Sequence, residues 1–292
     1  MLHADYVAPS SLQELLAILH HYGGQAKIIA GGTDLIPQMR LGKLAPKILV
    51  DPRCLPLRGI IETDKGFHLG ADLTHTQVLS STLLKREFPA LVDACQQIGG
   101  PPVRNRGTLA GNLANASPAA DSSLPLLVYD AQIITTRFGG ERVIPLNEFY
   151  LAPGQTQLAE DEFIREIRIP NMPSQTKAVF LKLGNRKAMA IAVASVALRL
   201  SLNELGQVFE ARIALGSVAP MPVRAYQAEA ILQSNPLTEE IIINAAQAAV
   251  RAASPITDLR ASSGYRSKMV GVLTRRALKM VRQEFASGNG NE

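Results

Sequence analysis

The hydrophobic pattern of the first part of the chain changes its period several times. A capping serine followed by leucines three and four positions apart predicts a first helix, which Gly23 ends. Short apolar runs predict buried strands at 26–30, 47–51 and 67–71. Apolar residues at helical spacing predict further helices over 74–87 and 89–98. Strands and helices therefore alternate, which is typical of an α/β domain.

The pattern changes after the middle of the chain. A short buried helix is predicted at 124–129, and a β-hairpin at 132–145 turns at a Gly-Gly pair. A strand with mixed faces follows at 163–170 and ends at a proline. The next segment, 171–174, has the composition of a linker, and we place a domain boundary there, between residues 173 and 174.

The remaining residues predict a smaller α+β domain, 174–286. Strand-like runs at 178–183, 192–202 and 209–217 come first, and helices at 238–253 and about 263–286 follow. The polar, glycine-rich tail 287–292 is expected to be disordered.

Composition narrows the classes of protein to consider. The 292 residues are 47% hydrophobic, enough for a substantial core, and the formal charge of +5 is too small to require a nucleic-acid partner. The two cysteines, Cys54 and Cys95, cannot ligate an iron–sulfur cluster and make no disulfide framework, so we expect a cytoplasmic protein. We expect no membrane span, because the longest apolar run, 188–200, is too short and contains Arg199.

A glycine-rich loop follows the strand predicted at 26–30. The strand breaks off into Gly31-Gly32-Thr33-Asp34, and apolar residues resume at Leu35. A strand that ends in Gly-Gly-Thr commonly presents bare backbone N–H groups to an anion. The loop matches neither the dinucleotide-binding fingerprint nor the P-loop. By itself it fits an ordinary turn before a helix equally well.

A second loop, residues 104–121, contains no large aromatic side chain and is built from small residues, amides, hydroxyls and one carboxylate. It buries little apolar area, so packing alone does not account for it. Gly107 and Gly111 lack a Cβ, and another molecule can therefore approach the backbone closely. These features suit a loop folded around a phosphate-bearing ligand. The alternative is a long surface turn with a cap at Ser117-Pro118.

Together the two loops resemble those of the flavin-binding subunit of the molybdenum hydroxylases, the medium-subunit family of xanthine dehydrogenase and carbon monoxide dehydrogenase. Segments 28–35 and 104–121 match that family in order and separation, and a third match lies at 180–192. The resemblance covers nearly the whole chain. It implies a mixed α/β (α+β) fold: a two-part FAD-binding domain of the PCMH/VAO type over 1–173, then a C-terminal α+β domain with a three-stranded antiparallel sheet and helices.

The same resemblance implies a function. The chain would be an FAD-binding electron-transfer subunit in a heteromeric complex. One partner oxidises the substrate at a molybdenum cofactor, a second carries 2Fe–2S clusters, and electrons leave from FAD to NAD+ or another acceptor. No catalytic residue or metal ligand is expected in this chain, because the redox chemistry belongs to the cofactor. Two alternatives stay open: a self-contained FAD-dependent oxidoreductase of the same fold, and a non-catalytic scaffold that has lost the cofactor.

The resemblance also assigns cofactor contacts residue by residue. The first loop is expected to wrap the FAD pyrophosphate, and the second to line its other side. A carboxylate would accept hydrogen bonds near the adenosine ribose, two isoleucines would make apolar contacts, and a lysine would lie near the isoalloxazine ring. The expected cofactor-binding residues are Ile28, Ile29, Ala30, Gly31, Gly32, Thr33, Asp34, Leu35, Ile98, Thr108, Leu109, Ala110, Gly111, Asn112, Asp121, Ile164 and Lys182.

Several of these residues have a purely structural alternative. Asp121 can cap a helix that begins at Ser122, the two isoleucines can belong to the core, and Lys182 can be a solvated lysine. The chain also departs from the family at Ala190, where an acidic residue is usual. That change affects the polar network expected beside the flavin.

Other polar residues carry weaker signals. His68 and His75 lie too far apart, without Cys or Glu at ligand spacing, to indicate a metal site. The basic residues of segment 260–282 lack interleaved aromatic residues beyond Tyr265. We expect them on a solvated helical face or at a subunit contact rather than at a nucleic-acid surface.

Overall fold

The computed structural model describes residues 3–288 of the chain. The elements of the first part are, in chain order, β1 (Asp5–Val7), α1 (Leu12–Tyr22), β2 (Ala26–Ile28), α2 (Leu35–Arg40), β3 (Ile48–Val50), β4 (Ile60–Thr63), β5 (Gly66–Gly70), α3 (His75–Ser80), α4 (Thr82–Glu87), α5 (Pro89–Gln96), α6 (Pro101–Arg104), α7 (Leu109–Ala114), α8 (Ser123–Val128), β6 (Gln132–Arg137), β7 (Gly140–Pro145), α9 (Leu146–Phe149), β8 (Tyr150–Ala152), β9 (Gln155–Thr156) and β10 (Phe163–Pro170). The elements of the second part are β11 (Thr176–Gly184), β12 (Ala192–Leu202), β13 (Val208–Gly216), β14 (Val223–Arg224), α10 (Tyr226–Leu232), α11 (Glu239–Arg251) and α12 (Ser263–Gly288).

The first part contains two sheets of different kinds. A small parallel sheet has the strand order β1-β3-β2, and a larger antiparallel sheet has the order β4-β5-β10-β6-β7. Strand β10 lies at the centre of the larger sheet. Its pairing with β6 shifts register between Ile164 and Glu166, so that Arg165 is an extra residue. Such a bulge bends the strand and re-aims neighbouring side chains.

The second part is an antiparallel sheet, β11-β12-β13-β14, covered by helices. Strand β12 is buried on both faces. Ala197 packs in the hydrophobic core of the first part, whereas Val196 and Leu198 pack in a second core with α10, α11 and α12. The long apolar run that the sequence contains is therefore a central strand covered on both sides.

A cluster of charged residues links the turn after α8 to this sheet. Asp130, at φ +52°, accepts hydrogen bonds from the guanidinium groups of Arg199, Arg212 and Arg224. Glu210 and Glu229 balance the charge by pairing with Arg199 and Arg224. Because buried ions are costly unless paired, the cluster fixes how the turn sits on the sheet.

Most of the predicted elements are present, with several differences. The helix predicted at 74–87 is two helices, because Ser81 ends α3 and its hydroxyl caps α4. The sheet expected to have three strands has a fourth, the two-residue β14, and α10 was not predicted. Of the tail expected to be disordered, Ser287 and Gly288 complete α12, and the rest lies outside the described residues. Among residues 3–288, no helix combines the length and apolar composition that crossing a membrane requires.

Candidate functional site

The first glycine loop begins where β2 ends. The backbone N–H of Ile29 still donates to Val50 O (2.9 Å), but the chain then leaves the sheet. Within residues 3–288, no backbone N–H from Ala30 to Leu35 has a protein acceptor. Gly32 has φ +70°, a left-handed conformation that favours glycine. A run of unpaired N–H groups in such a loop forms a concave binding surface for an anion.

The two glycine loops touch. A Cβ placed on Gly31 would lie 2.2 Å from the carbonyl oxygen of Arg106 and 2.9 Å from the backbone nitrogen of Gly107. Both distances are far below van der Waals contact, so only glycine allows this approach. The loops are distant in sequence, and the absence of one side chain lets their backbones meet.

The second loop is held in place by the segment before α3. Thr108 forms a bridge with Thr74, the N–H of His75 donates to Gly107 O (3.0 Å), and the N–H of Leu109 donates to Leu73 O (3.0 Å). The hydroxyl of Thr108 then caps α7 by accepting from the N–H of Gly111 (3.0 Å). These bonds fix the second loop against the first.

A cavity of about 510 Å³ lies along both loops. Its size is within the range of small-molecule and cofactor sites. Thirteen of the residues expected to bind the cofactor line it: Ile28, Ala30, Gly31, Gly32, Thr33, Asp34, Leu35, Ile98, Thr108, Ala110, Gly111, Asn112 and Ile164. The cavity thus joins segments from both loops, from the end of α5 and from the bulge of β10.

Four of the expected residues do not line the cavity. The side chain of Ile29 packs beside Gly32, within 3.6 Å of a Cβ placed there, and Leu109 is fully buried in the core. Asp121 and Lys182 are both buried and bind each other, with Lys182 Nζ 2.5 Å from Asp121 Oδ2. Lys182 is therefore not a solvated lysine.

The ion pair lies next to one wall of the cavity. Lys182 Nζ also donates to the carbonyl of Gln97 (3.1 Å), the residue before the cavity-lining Ile98. Burial raises the pKa of Asp121 to about 6, although Lys182 opposes the shift. Asp121 Oδ1 is buried and has no partner among the described residues, and Asp121 does not cap α8. One acceptor therefore remains unpaired.

Arg104 has a structural role in this wall. Its guanidinium donates to the carbonyls of Ile98 (3.0 Å) and Gly99 (3.1 Å), and this fixes the turn between α5 and α6. Ile98, Val103 and Ile164 give the neighbouring part of the cavity an aliphatic surface. Such a surface suits a flat apolar ring.

The lining carries little positive charge. Lys27 is the one lysine or arginine among the lining residues, all of which lie within the described part of the chain. Two lining carboxylates are neutralised, Asp72 by Arg58 and Glu162 by Arg142. Burial raises the pKa of the third, Asp34. An anionic ligand would therefore be held chiefly by backbone N–H groups.

Sequence reasoning did not identify several other lining residues. Lys27, Gln38, Asn115, His75, Gly154 and Glu162 come from separate segments. Only contacts in the fold bring them together: Gln38 Nε2 donates to Asn115 Oδ1 (3.3 Å), and the N–H of Gly154 donates to Ala116 O (3.0 Å). No sequence spacing signals these pairs.

Other candidate residues have different roles from those expected, or none at this site. Ala190 lies in the connection between β11 and β12, against Gly184, and does not line the cavity. Arg266 was expected on a solvated or subunit-contacting face but is buried, where it donates to the carbonyls of Val193 (2.8 Å) and Ser217 (3.0 Å). Among the described residues, no group of His, Cys, Asp and Glu side chains could hold a metal ion.

Comparison with known families gives two matches along the chain. Residues 2–172 match the model described as the FAD binding domain in molybdopterin dehydrogenase. Residues 179–281 match the CO dehydrogenase flavoprotein C-terminal domain. The expected order of an FAD-binding fold followed by a C-terminal unit is therefore confirmed.

Individual relatives agree with these matches. The chain is 34% identical over 276 residues to the carbon monoxide dehydrogenase medium chain of Hydrogenophaga pseudoflava, covering 94% of this chain and 95% of that protein. It is 31% identical over 290 residues to the xanthine dehydrogenase FAD-binding subunit of Escherichia coli O157:H7, covering 98% of each. A solved structure of carbon monoxide dehydrogenase from Hydrogenophaga pseudoflava, lacking the Mo-pyranopterin moiety, matches with a TM-score of 0.91, 35% identity and coverage of 95% of this chain and 96% of that one.

Proposed function

Because this chain belongs to the family of FAD-binding domains of molybdopterin dehydrogenases, we propose that it carries electrons through FAD from an iron–sulfur partner to an acceptor. Its cofactor is FAD, and it is the FAD subunit of an oxidoreductase complex of the molybdenum hydroxylase family. The donor, the acceptor and the place of this subunit in the electron path are the parts proposed here.

The observation that carries the proposal is the run of unpaired N–H groups from Ala30 to Leu35, closed by the contact of Gly31 with Arg106. FAD contains a diphosphate, and backbone N–H groups are its natural partners where lysines and arginines are scarce. We assign the diphosphate to this loop, with Thr108 to Asn112 on its other side.

The remaining parts of the cavity fit the remaining parts of FAD. The aliphatic surface of Ile98, Val103 and Ile164 suits the ring system. Asp121 Oδ1 is a buried acceptor without a protein partner, which suits a hydroxyl or N–H of the cofactor. Lys182 is placed beside the same wall, where its positive charge would favour an electron-rich ring.

The protein's own contribution is binding, orientation and electrostatics. When bound, FAD supplies the redox chemistry, which belongs to the cofactor rather than to a side chain of this chain. The glycine loops fix the diphosphate, the aliphatic wall excludes water from the ring, and the Asp121–Lys182 pair sets the local charge. No acid–base pair is required of this chain.

The proposed partners are a subunit with a molybdenum cofactor and a subunit with 2Fe–2S clusters, and the proposed acceptor is NAD+ or another oxidant. Two relatives are named as a medium chain and as an FAD-binding subunit, which supports a multi-subunit assembly. We place the complex in the cytoplasm, since Cys54 and Cys95 are both free thiols. We also propose that the two domains are 1–173 and 174–286.

The loop assignment is tested with Gly31→Ala. The new methyl group would lie 2.2 Å from the backbone oxygen of Arg106, so the loops must separate. We expect FAD to bind about five- to 140-fold more weakly, since overpacking costs about 1–3 kcal/mol. Gly140→Ala is the matched control, because a Cβ there meets nothing within 4 Å. Affinity is measured by titrating the cofactor-free chain with FAD, and circular dichroism verifies folding.

Stronger perturbations give a sharper outcome. Gly31→Asp and Gly111→Asp each add a side chain and a negative charge in the loops, and both should abolish FAD binding. If both folded variants retained FAD, the loop assignment would be refuted.

Electron transfer is tested on the assembled complex. The native complex should contain molybdenum, iron and this chain, and its flavin should be reduced by substrate and reoxidised by NAD+ or another acceptor. Substrate turnover by the purified chain alone would instead indicate a self-contained oxidoreductase.

A further inference from the structure

A buried histidine and a buried cysteine are in contact beside the cavity. His75 Nδ1 is 3.5 Å from Cys95 Sγ. Both side chains are buried, His75 at the start of α3 and Cys95 in α5. The backbone N–H of His75 donates to Gly107 O (3.0 Å), so the histidine is fixed to the second glycine loop.

The opposite edge of the imidazole is on the cavity side. His75 and Gly107 both line the cavity, and a Cβ placed on Gly107 would lie 3.2 Å from His75 Cδ2 and 3.5 Å from Nε2. Within residues 3–288, Nε2 has no hydrogen-bond partner. Unlike the unpartnered side-chain atoms that are fully buried, it keeps some accessible surface. This nitrogen is therefore available to a molecule in the cavity.

The protonation states of His75 and Cys95 decide whether Nε2 is a hydrogen-bond donor or an acceptor. Burial, together with the guanidinium of Arg104, lowers the pKa of His75 to about 4, so the ring is neutral. Burial and the nearby Asp121 carboxylate raise the pKa of the Cys95 thiol, which therefore keeps its proton. A neutral imidazole carries one N–H and one bare nitrogen. The thiol S–H is satisfied if Nδ1 is the bare nitrogen, and the ring proton is then on Nε2.

We propose that His75 is a neutral hydrogen-bond donor to the bound cofactor, with Nε2–H directed at an oxygen of FAD and Cys95 holding this tautomer by donating to Nδ1. The inference rests on the proposed function. Because the two loops meet at Gly107, the acceptor is an oxygen of the diphosphate or of the adjoining ribityl chain. His75 is then a binding residue, and Cys95, which acts through it, is a positioning residue.

The test compares two replacements of His75 in the cofactor-free full-length chain. His75→Gln keeps an N–H near the position of Nε2, and His75→Leu removes it. We expect His75→Leu to bind FAD about three- to tenfold more weakly, the range for one neutral hydrogen bond, and His75→Gln to stay within about twofold of the unmodified chain. Equal binding by His75→Leu and the unmodified chain would overturn the proposal, as would equal losses in both variants.

Three ligands identify the acceptor oxygen. A loss with FAD alone places the bond on the adenosine-side phosphate, and a loss with FAD and FMN but not with riboflavin places it on the flavin-side phosphate. A loss with all three places it on the ribityl chain. Cys95→Ser retains a donor to Nδ1 and should preserve affinity, whereas Cys95→Ala should weaken it. Nitrogen NMR of the cofactor-free chain should show His75 protonated at Nε2; protonation at Nδ1 would refute the tautomer.

The matched control is Val78→Ala, a change at a buried residue of α3 that does not line the cavity. It should lower the unfolding temperature without changing FAD affinity, which separates a loss of stability from a loss of binding. The two proposals fail in different ways. If the unmodified chain took up no FAD, the proposed function would fail; if it bound FAD and His75→Leu bound equally well, only the role of His75 would fail.

Discussion

The buried ion pair beside the cavity makes the stability of the protein depend on pH in a way that one substitution should expose. Lys182→Met removes the cation that faces Asp121 and leaves the apolar part of the side chain in place. Asp121 is then a buried carboxylate with no counter-ion. Its Oδ2 loses the bond to Lys182, and its Oδ1 already has no partner among the described residues. Leaving one member of a buried pair uncompensated is among the costly changes in a protein core.

The size of the effect follows from the pKa of Asp121, which burial raises to about 6 in the folded chain. A raised carboxyl pKa contributes stability that is fully present below the unfolded value and is lost as pH rises through the folded value. At pH 5 the Asp121 carboxyl is mostly protonated, so its interaction with Lys182 contributes little to the free energy of unfolding. At pH 8 the paired carboxylate is charged, and protonating it instead costs about 1.4 kcal/mol for each pH unit above its pKa, or roughly 3 kcal/mol in all.

We therefore expect Lys182→Met to lose up to roughly 3 kcal/mol more stability at pH 8 than at pH 5. Loss of the bond to the Gln97 carbonyl adds about 1 kcal/mol at both values. The assay is urea unfolding of the cofactor-free chain at the two pH values. Adding Asp121→Asn to the same chain should remove the difference, and Lys187→Met, in an exposed loop, is the control. An equal loss at pH 5 and pH 8 would contradict the assignment of a charged Asp121.

Two further predictions concern residues that hold the fold around the site. Thr108→Ala removes the cap on α7 and should cost about 1 kcal/mol of unfolding free energy, with weaker FAD binding in the same titration; unchanged values in both assays would contradict a role for the cap. Arg266→Met leaves the carbonyls of Val193 and Ser217 without their donor, removes the ion pair with Asp258, and should cost about 2–4 kcal/mol in urea unfolding. Arg275→Met, an exposed ion-pair residue on the same helix, should cost much less.

Much of the fold could be predicted because local patterns decide it. The helix after Ser11 begins at its cap and ends at Gly23, as its sequence indicates. The apolar run 192–202 is a central strand because both of its faces meet hydrophobic cores. Prediction failed where the local pattern was too short or did not change at a boundary. Strand β14 has only two residues. Ser81 separates two helices, but the helical spacing of apolar residues continues across it.

The site was predictable where glycine marks it and where the family resemblance assigned a contact, as for Ile98 and Ile164. Gly31 and Gly111 stand out because no hydrophobic pattern requires them, and the resemblance of both loops to one family named the cofactor. Arg266 shows the opposite case. Its position in a basic stretch indicated a solvated or subunit-contacting face, but its side chain is buried among carbonyls that lie far from it in sequence.

The sequence by itself determined most of the longer strands and helices, the two glycine loops and the family they resemble, because periodicity and glycine content act over a few residues. Only the tertiary structure decided that Gly31 meets Arg106, that Lys182 pairs with Asp121, and that His75 lies between Cys95 and the cavity. These contacts join segments far apart along the chain. Their geometry depends on how the sheets and helices pack, and no local pattern encodes that packing.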